Sequence, residues 1–517
     1  MPDIEINPEF ARALELIQAG RSNLFVTGRA GTGKSTLLEY FRENSDDEPV
    51  ILAPTGVAAL NVRGQTIHRF FGFRTDVTPD SVRKSRRKPR EPKLYKELTT
   101  LIIDEASMLR ADLLDCVDAF LRRHGPVPGN PFGGVQMVFV GDLYQLPPVV
   151  TGDEREIFAT LYDTPYFFSA CALENMEVEI VELQKVYRQK DRAFVDLLNR
   201  IRNNTVDDSD LALLNTRVDR GFDPSGDQFY ISLTTTNRTA DRINEERLAT
   251  LPGRACTSTA ALDGDFDRNH RPAPVELVFK PGAHIMLLNN DSSERWVNGS
   301  LGQVQKIAHG ENGEFEVSVR LHDSNRVAKV TPHTWELIRY TLQDGQISAE
   351  AVGRFTQLPF RLAWAVTIHK SQGKTFDHVL IDLERGAFTT GQTYVALSRC
   401  TSFEGIVLRR EVRESSIRAD WRVQQFLTGH RYRISEETLP LKDKIRFIRN
   451  AIEEGRDISM TYLKPDDTES QRVVTPISIG RMTYQEKPFD GMRAYCALRG
   501  AERTFRVDRI LKMETAL

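Results

Sequence analysis

The chain has 517 residues, which at about 150 residues per domain predicts three to four domains and excludes a lone small binding module. Hydrophobic residues at 40 % and charged residues at 27 % sit near globular averages and exclude a disordered or fibrous protein. With 69 basic against 72 acidic residues the net charge is −3, so any nucleic-acid site must come from local basic clusters.

In chain order, Asn7-Pro8 reads as an N-cap with proline at the first helical position, and Phe10, Ala13, Leu14 and Ile17 share one face of the helix that follows. Leu24-Phe25-Val26, a glycine-rich turn and a helix from Lys34 spell strand, loop, helix. The apolar runs at 50–52, 101–103 and 137–140 read as strands buried on both faces, as in a parallel sheet. Between them, 74–98 carries Arg83, Lys84, Arg86, Arg87, Lys88, Arg90 and Lys93 among prolines, a basic insertion expected to protrude. Further strands are expected at 229–233, 362–366, 379–383 and 405–408, forming a second α/β domain. Residues 276–352 alternate apolar positions with turns such as Asn298-Gly299 and Glu311-Asn312-Gly313, which suggests an inserted β module. After Trp421 comes a polar stretch, then an amphipathic helix marked by Leu441, Ile445, Ile448 and Ile452, then hairpin-like strands. No apolar run approaches the roughly 20 residues that span a bilayer, and MPDIEINPEF lacks a signal-peptide pattern, so no membrane partner is expected. Cysteines 116, 171, 256, 400 and 496 form no CxxC pair, and a reducing, cytoplasmic setting is expected.

Gly28-Arg29-Ala30-Gly31-Thr32-Gly33-Lys34-Ser35 fits G-x-x-x-x-G-K-[ST] in the strand-loop-helix context that a phosphate loop requires. The glycines let backbone N–H groups curl around phosphates, Lys34 reaches the terminal phosphates, and the Ser35 hydroxyl suits magnesium. Gly28, Ala30, Gly31, Thr32, Gly33, Lys34, Ser35 and Thr36 are therefore the expected ATP cradle. Leu101-Ile102-Ile103 ends in Asp104-Glu105, at the strand edge where α/β sheets bind ligands. Asp104 suits Mg2+ with Ser35, and Glu105 suits polarising water for attack; a solvated acidic pair is the plainer reading. Gln145, after the strand at 137–140, can position that water, or belong to an ordinary polar turn.

Seven segments together, GRAGTGKST, APTGVAALNVRGQTIHRFF, IIDEASMLRADLLDCVDAFLR, PFGGVQMVFVGDLYQLPPV, VYRQ, LAWAVTIHKSQGKTFD and YVALSRC, closely resemble the Pif (petite integration frequency) family of superfamily 1B DNA helicases over residues 5–410. The resemblance implies an α/β protein with two RecA-like P-loop lobes and a small inserted SH3-like β subdomain. Lobe 1 is expected over 1–190 with the insertion at 74–98. Lobe 2 is expected over 191–275 and 353–430, and the SH3-like subdomain over 276–352. It implies an ATP-dependent motor moving 5′ to 3′ on single-stranded DNA, unwinding duplexes and, as relatives do, G-quadruplexes and DNA-RNA hybrids.

Arg188 and Arg399 match the family's two arginine fingers, and the catalytic set it implies is Lys34, Glu105, Gln145, Arg188 and Arg399. Gln145, Arg188, Gly373 and Arg399 join the nucleotide contacts. Pro54, Thr55, Gly56, Val57, Asn61, His68 and Phe70 match strand-contacting motifs of the first lobe, with His68 and Phe70 suited to stacking on bases or, for Phe70 and Phe71, to core packing. Thr367, His369, Lys370, Ser371 and Gln372 offer donors to DNA phosphates in the second lobe. The basic insertion either guides duplex DNA or is a solvated loop.

Two positions depart from the family pattern. Phe10 stands where relatives carry a glutamine that reads the adenine, which leaves a stacking contact and a weaker preference for ATP. Lys374 stands where an apolar residue is usual, a further DNA contact or a surface lysine. Residues 437–517 resemble an α+β WYL domain in which Asp490-Gly491-Met492 replaces the Trp-Tyr-Leu tripeptide; Arg493, Arg499, Arg503, Arg506 and Arg509 suit a nucleic-acid backbone or structural ion pairs. The expected partners are single-stranded DNA and duplex or G-quadruplex junctions, the expected state a monomer, and the expected place the bacterial cytoplasm at the nucleoid. A nucleotide-controlled DNA-binding regulator, a phosphotransferase and an RNA-directed helicase are the competing functions.

Overall fold

The computed structural model describes the chain except residues 1–5, 46–47, 75, 151–153, 190, 224–228, 265, 267–270, 311–313, 344–345, 384–388, 465–468, 485–486 and 517. The turn expected at Glu311-Asn312-Gly313 lies outside the described residues. Two compact units emerge, one of residues 1–199 and 206–418 and one of 200–205 and 419–517.

The first unit opens as expected. The Asn7 side chain caps the helix Pro8–Ala19, and Gly20 closes it in the left-handed conformation. This helix buries Phe10, Ala13, Leu14 and Ile17 against a six-stranded parallel sheet, in the order Gln65–Thr66, Val50–Ala53, Thr100–Ile103, Gln136–Gly141, Asn23–Gly28, Val178–Leu183. Phe10 is 4 % exposed and stands edge-on to Tyr40. It is therefore a core residue, which corrects the expectation that its ring stacks on a base. The basic insertion contains two short helices, Pro79–Lys84 and Pro92–Lys96.

A second parallel sheet, in the order Ala365–Thr367, Ile231–Thr234, Val379–Asp382, Ile406–Leu408, builds the second lobe. The expected strand at 362–366 is in fact two. Phe360–Leu362 pairs with His284–Leu287 in a five-stranded antiparallel sheet of the insert, and after Ala363-Trp364 the chain enters the lobe-2 sheet. The strands that pair outside the two lobes run from Cys256 to Leu362, wider than 276–352. A long hairpin, His333–Gln343 with Gln346–Gln357, anchors the insert to the first lobe: the Ile51 amide donates to the Tyr340 hydroxyl at 3.1 Å, and Gln65 donates to the Ile338 carbonyl at 2.5 Å.

The second unit is a five-stranded antiparallel sheet, ordered Ala501–Arg506, Lys487–Cys496, Glu469–Tyr484, Ile458–Leu463, Ile510–Thr515, with Ile448 of the helix Leu441–Glu453 in its core. The helix Trp421–Thr438, where only polar composition was visible, also belongs to it: Ser435 donates to the Ile510 and Leu511 carbonyls. Of the five tail arginines, Arg493 pairs with Glu502 and Arg506 with Asp508. Among the described residues no helix is long and apolar enough to cross a membrane, and no cluster of metal-ligating side chains is found.

Candidate nucleotide and strand sites

Parallel strands deliver their carboxyl ends to one edge, and ligands bind where those ends meet. In the first lobe that edge gathers the loop after Gly28, the Asp104-Glu105 pair, Asp142 and the turn leading to Arg188. Gly31 and Gly33 hold φ of 80° and 89°, left-handed values that glycine adopts without strain, as a loop curled around an anion needs. Lys34 Nζ donates to the carbonyls of Gly28 (2.7 Å) and Arg29 (3.1 Å), so the ammonium already lies inside the loop. Thr32 bonds back to the Arg29 carbonyl, while Ser35 and Thr36 are exposed on the first turn of the helix Lys34–Glu43.

Glu105 adopts φ 52°, a strained value for a residue with a side chain, at the turn between its strand and the short helix Ala106–Met108. A methyl group at Gly141 would lie 2.9 Å from the Ala106 amide nitrogen, so glycine there lets this turn approach the neighbouring strand. Burial, and then the Glu105 charge, raises the Asp104 carboxyl above its ordinary range. Glu105 is raised by burial too, with Lys34 and Arg399 opposing. Two partly buried carboxylates, both held above their ordinary range, suit a divalent cation, and Asp104 with Ser35 are the residues that would hold it.

The second lobe closes this edge. From the helix Gln392–Leu397, the Tyr394 hydroxyl accepts from the Ala30 amide at 3.2 Å and donates to Asp142 Oδ2 at 3.4 Å. Gln145 Nε2 donates to that same oxygen at 3.3 Å. Arg188 spans the lobes, donating to the Ser398 and Gly373 carbonyls at 3.3 Å each, and Gln189 donates to the carbonyls of Ser398 and Cys400. Arg399 is 1 % exposed and bonds the Val395, Ser371 and Lys374 carbonyls and the Ser398 hydroxyl. Burial, then the charge of Arg188, lowers it to about 9. Gly373 thus meets Arg188 through its carbonyl. Lys34, Arg399 and Asp142 act on Glu105, Arg188 acts on Arg399, and Gln145 bonds Asp142, which brings the five expected catalytic residues to one edge between the lobes. Tyr394 and Asp142 were missed; the only sequence signals were the tyrosine five residues before Arg399 and the acid directly after a buried strand.

The strand-contacting candidates divide. Val57, Asn61, Thr367 and Lys370 line one cavity of about 980 Å³, with Trp335 from the insert and Asn244 from the second lobe. Pro54, Thr55 and Gly56 lead into it, and Thr55 caps the helix Gly56–Asn61. His68 and Phe70 instead border a second cavity of about 760 Å³ beside Arg87, Lys88 and Arg123. Phe70 is 5 % exposed, edge-on to Phe71, Tyr95 and Tyr340, so the expectation of base stacking is corrected: the ring is core. Ser371 is fully buried with its hydroxyl on the Ile368 carbonyl, and Thr367 accepts from the Lys370 amide; both hold the loop rather than present a donor. His369 is half-buried and held below its ordinary pKa by that burial, Lys370 is exposed, and Gln372 Nε2 has no partner among the described residues.

The profile of PIF1-like helicases matches residues 6–211, and that of the WYL domain matches 443–515. The ATP-dependent DNA helicase Pif1 of Bdellovibrio bacteriovorus is 32 % identical over 418 residues, covering 78 % of this chain and 88 % of that protein. The human ATP-dependent DNA helicase PIF1 is 34 % identical over 433 residues, 82 % of this chain and 63 % of the human one. Bacteroides sp Pif1 crystallised with ADP-AlF4 superposes with a TM-score of 0.75 at 38 % identity, covering 83 % of this chain and 97 % of that one. The same protein bound to single-stranded DNA gives 0.59 at the same identity and coverage, and its unliganded form 0.74.

Proposed function

The chain belongs to the PIF1-like helicase family and is an ATP-dependent DNA helicase, and from that premise we propose that it moves 5′ to 3′ along single-stranded DNA by opening and closing the crevice between its two lobes. One observation carries this reading: Lys34, Glu105 and Gln145 of the first lobe face Arg399 of the second across a seam that Arg188 and Tyr394 already bridge. The Lys34 ammonium exchanges the Gly28 and Arg29 carbonyls for the phosphates of ATP. Glu105 accepts the proton of the attacking water, which Gln145 orients. Arg188 and Arg399 meet the charge that develops on the transferred phosphoryl group, where a dry site makes each cation count for more than it would in water. Ser35 and Asp104 are the residues that would hold a magnesium ion, which would supply charge neutralisation at the phosphates.

Arg399 also accounts for coupling. Its guanidinium holds the Ser371 and Lys374 carbonyls, and the segment Thr367 to Lys374 borders the strand cavity. A shift of this arginine toward phosphate therefore drags the strand-contacting loop with it. DNA phosphates meet Lys370, His369 and Gln372, while Val57 and Asn61 flank the strand in the first lobe. Duplex and G-quadruplex junctions as substrates, a monomeric free state and action in the cytoplasm at the nucleoid belong to the same proposal.

The deciding assay is ATP-dependent strand displacement on partial duplexes with 5′ or 3′ tails, in DNA and RNA versions. Displacement of 5′-tailed DNA supports the motor. Displacement of 3′-tailed DNA alone refutes the polarity, and a preference for RNA refutes the substrate.

A further inference from the structure

Lys374, the departure from the family pattern, is tied into a hydrogen-bond chain that crosses three parts of the first unit. Its Nζ donates to Asn298 Oδ1 at 2.5 Å, and Asn298 Nδ2 donates to Asn61 Oδ1 at 3.1 Å. Asn61 ends the helix Gly56–Asn61 of the first lobe, Asn298 lies in the insert before the strand Leu301–His309, and Lys374 follows the second lobe's strand loop. All three line the 980 Å³ cavity. The approach is tight by construction: Gly299 holds φ 103°, and a methyl group there would lie 3.2 Å from Lys374 Cγ.

A lysine in this position is poorly served. Burial, then the charge of Arg361, lowers its ammonium to about 7, and its oxygen partner is a neutral amide rather than a carboxylate. A phosphodiester is the better partner, because a charged acceptor bonds about twice as strongly as a neutral one. The Lys374 carbonyl meanwhile accepts from Arg399, so the residue touches the nucleotide-side arginine with its backbone and the strand cavity with its side chain. The chain superposes better on unliganded Bacteroides Pif1 than on the DNA-bound form, TM-scores of 0.74 and 0.59.

We propose that Lys374, Asn298 and Asn61 form a latch across the strand groove, and that a backbone phosphate of single-stranded DNA replaces Asn298 as the partner of Lys374 when the groove fills. This rests on the reading of that cavity as the strand groove. Lys374 is then a phosphate-binding and positioning residue, and the Asn298 turn of the insert is released from the second lobe as the strand enters while it stays bonded to Asn61.

The test is anisotropy titration of the full chain with a labelled oligothymidylate across a salt series. Lys374→Met weakens binding several-fold and flattens the plot of log affinity against log salt by about 0.7, the share of one phosphate contact on a single strand. Asn298→Ala removes the competing acceptor and tightens binding about two- to tenfold, the worth of one net hydrogen bond. That gain vanishes in the double variant with Lys374→Met, and Lys374→Arg keeps the wild-type slope. Should Lys374→Met fail to fold, judged by its thermal transition, the Asn298→Ala and Lys374→Arg variants carry the test. Weaker or unchanged binding by Asn298→Ala, or an unchanged salt slope in Lys374→Met, overturns the latch alone. No binding by the unaltered chain overturns the groove reading and the latch with it.

Discussion

Gly31→Ala separates the strain of the phosphate loop from the placement of Arg188. Gly31 holds φ 80°, so alanine there costs about 1–2 kcal/mol in backbone strain. The new methyl would also lie 2.4 Å from Arg188 Cβ, about 1 Å short of ordinary contact, with the Arg188 nitrogen and Cα at 3.3 and 3.4 Å behind it. The obstacle is main chain and its first carbon, not the free end of a side chain, so the Arg188 segment has to retreat. A misplacement of about 1 Å in a catalytic group costs on the order of 100-fold in rate. Gly33→Ala is the matched control, since φ is 89° but the nearest atom to its methyl is Tyr187 Cε2 at 4.0 Å. DNA-stimulated ATP turnover should therefore fall about 100-fold further in Gly31→Ala than in Gly33→Ala. Nucleotide affinity, followed with a fluorescent ATP analogue, should fall by similar factors in both. Equal turnover in the two variants would refute the claim that Arg188, held against this loop, takes part in hydrolysis.

Glu105→Gln should keep nucleotide affinity within a few-fold while steady-state turnover drops about 10²–10⁴-fold, because the amide cannot take the water's proton; unchanged turnover removes Glu105 from the chemistry. Phe70→Ala should cost about 3–5 kcal/mol in denaturant unfolding, as for a large ring deleted from a core, whereas a loss under 1 kcal/mol with weaker DNA binding would restore the stacking reading. Burial, then the neighbouring His322, lowers His284 from 6.5 to about 4, with both imidazoles stacked on Phe229. Between those values the unfolded chain binds more protons, so stability should fall as pH drops from 6.5 to 4 and level off below. The expected loss is about 1–3 kcal/mol, and the same slope in His284→Gln would contradict this origin.

What could be read from the sequence was what lies close together along it. The phosphate loop, the Asp104-Glu105 pair and the strands that carry them are contiguous runs whose spacing already encodes their geometry. The run at 362–366 misled because a short apolar stretch does not reveal that two strands in it belong to different sheets. The helix Trp421–Thr438 was invisible for a related reason: glycine, histidine and arginine along it blur the apolar stripe, and it is fixed by bonds to a strand 75 residues away. Phe10 and Phe70 show the opposite failure, since family position marked them for contact with a ligand while burial made them core.

The contacts that make the crevice a two-lobe device join residues hundreds of positions apart, such as Ala30 to Tyr394, and no local pattern announces them. Arg399 makes the point sharply. Its place in ALSRC marks it as a finger that reaches for phosphate, yet every bond its guanidinium makes here is to the second lobe. An arginine lowered to about 9 by burial and by Arg188 gains most when a triphosphate offers it negative charge. On the proposed reading, its grip on the Ser371 and Lys374 carbonyls delivers that gain to the loop bordering the cavity of about 980 Å³, and the bonds that restrain this arginine are the ones that transmit its movement.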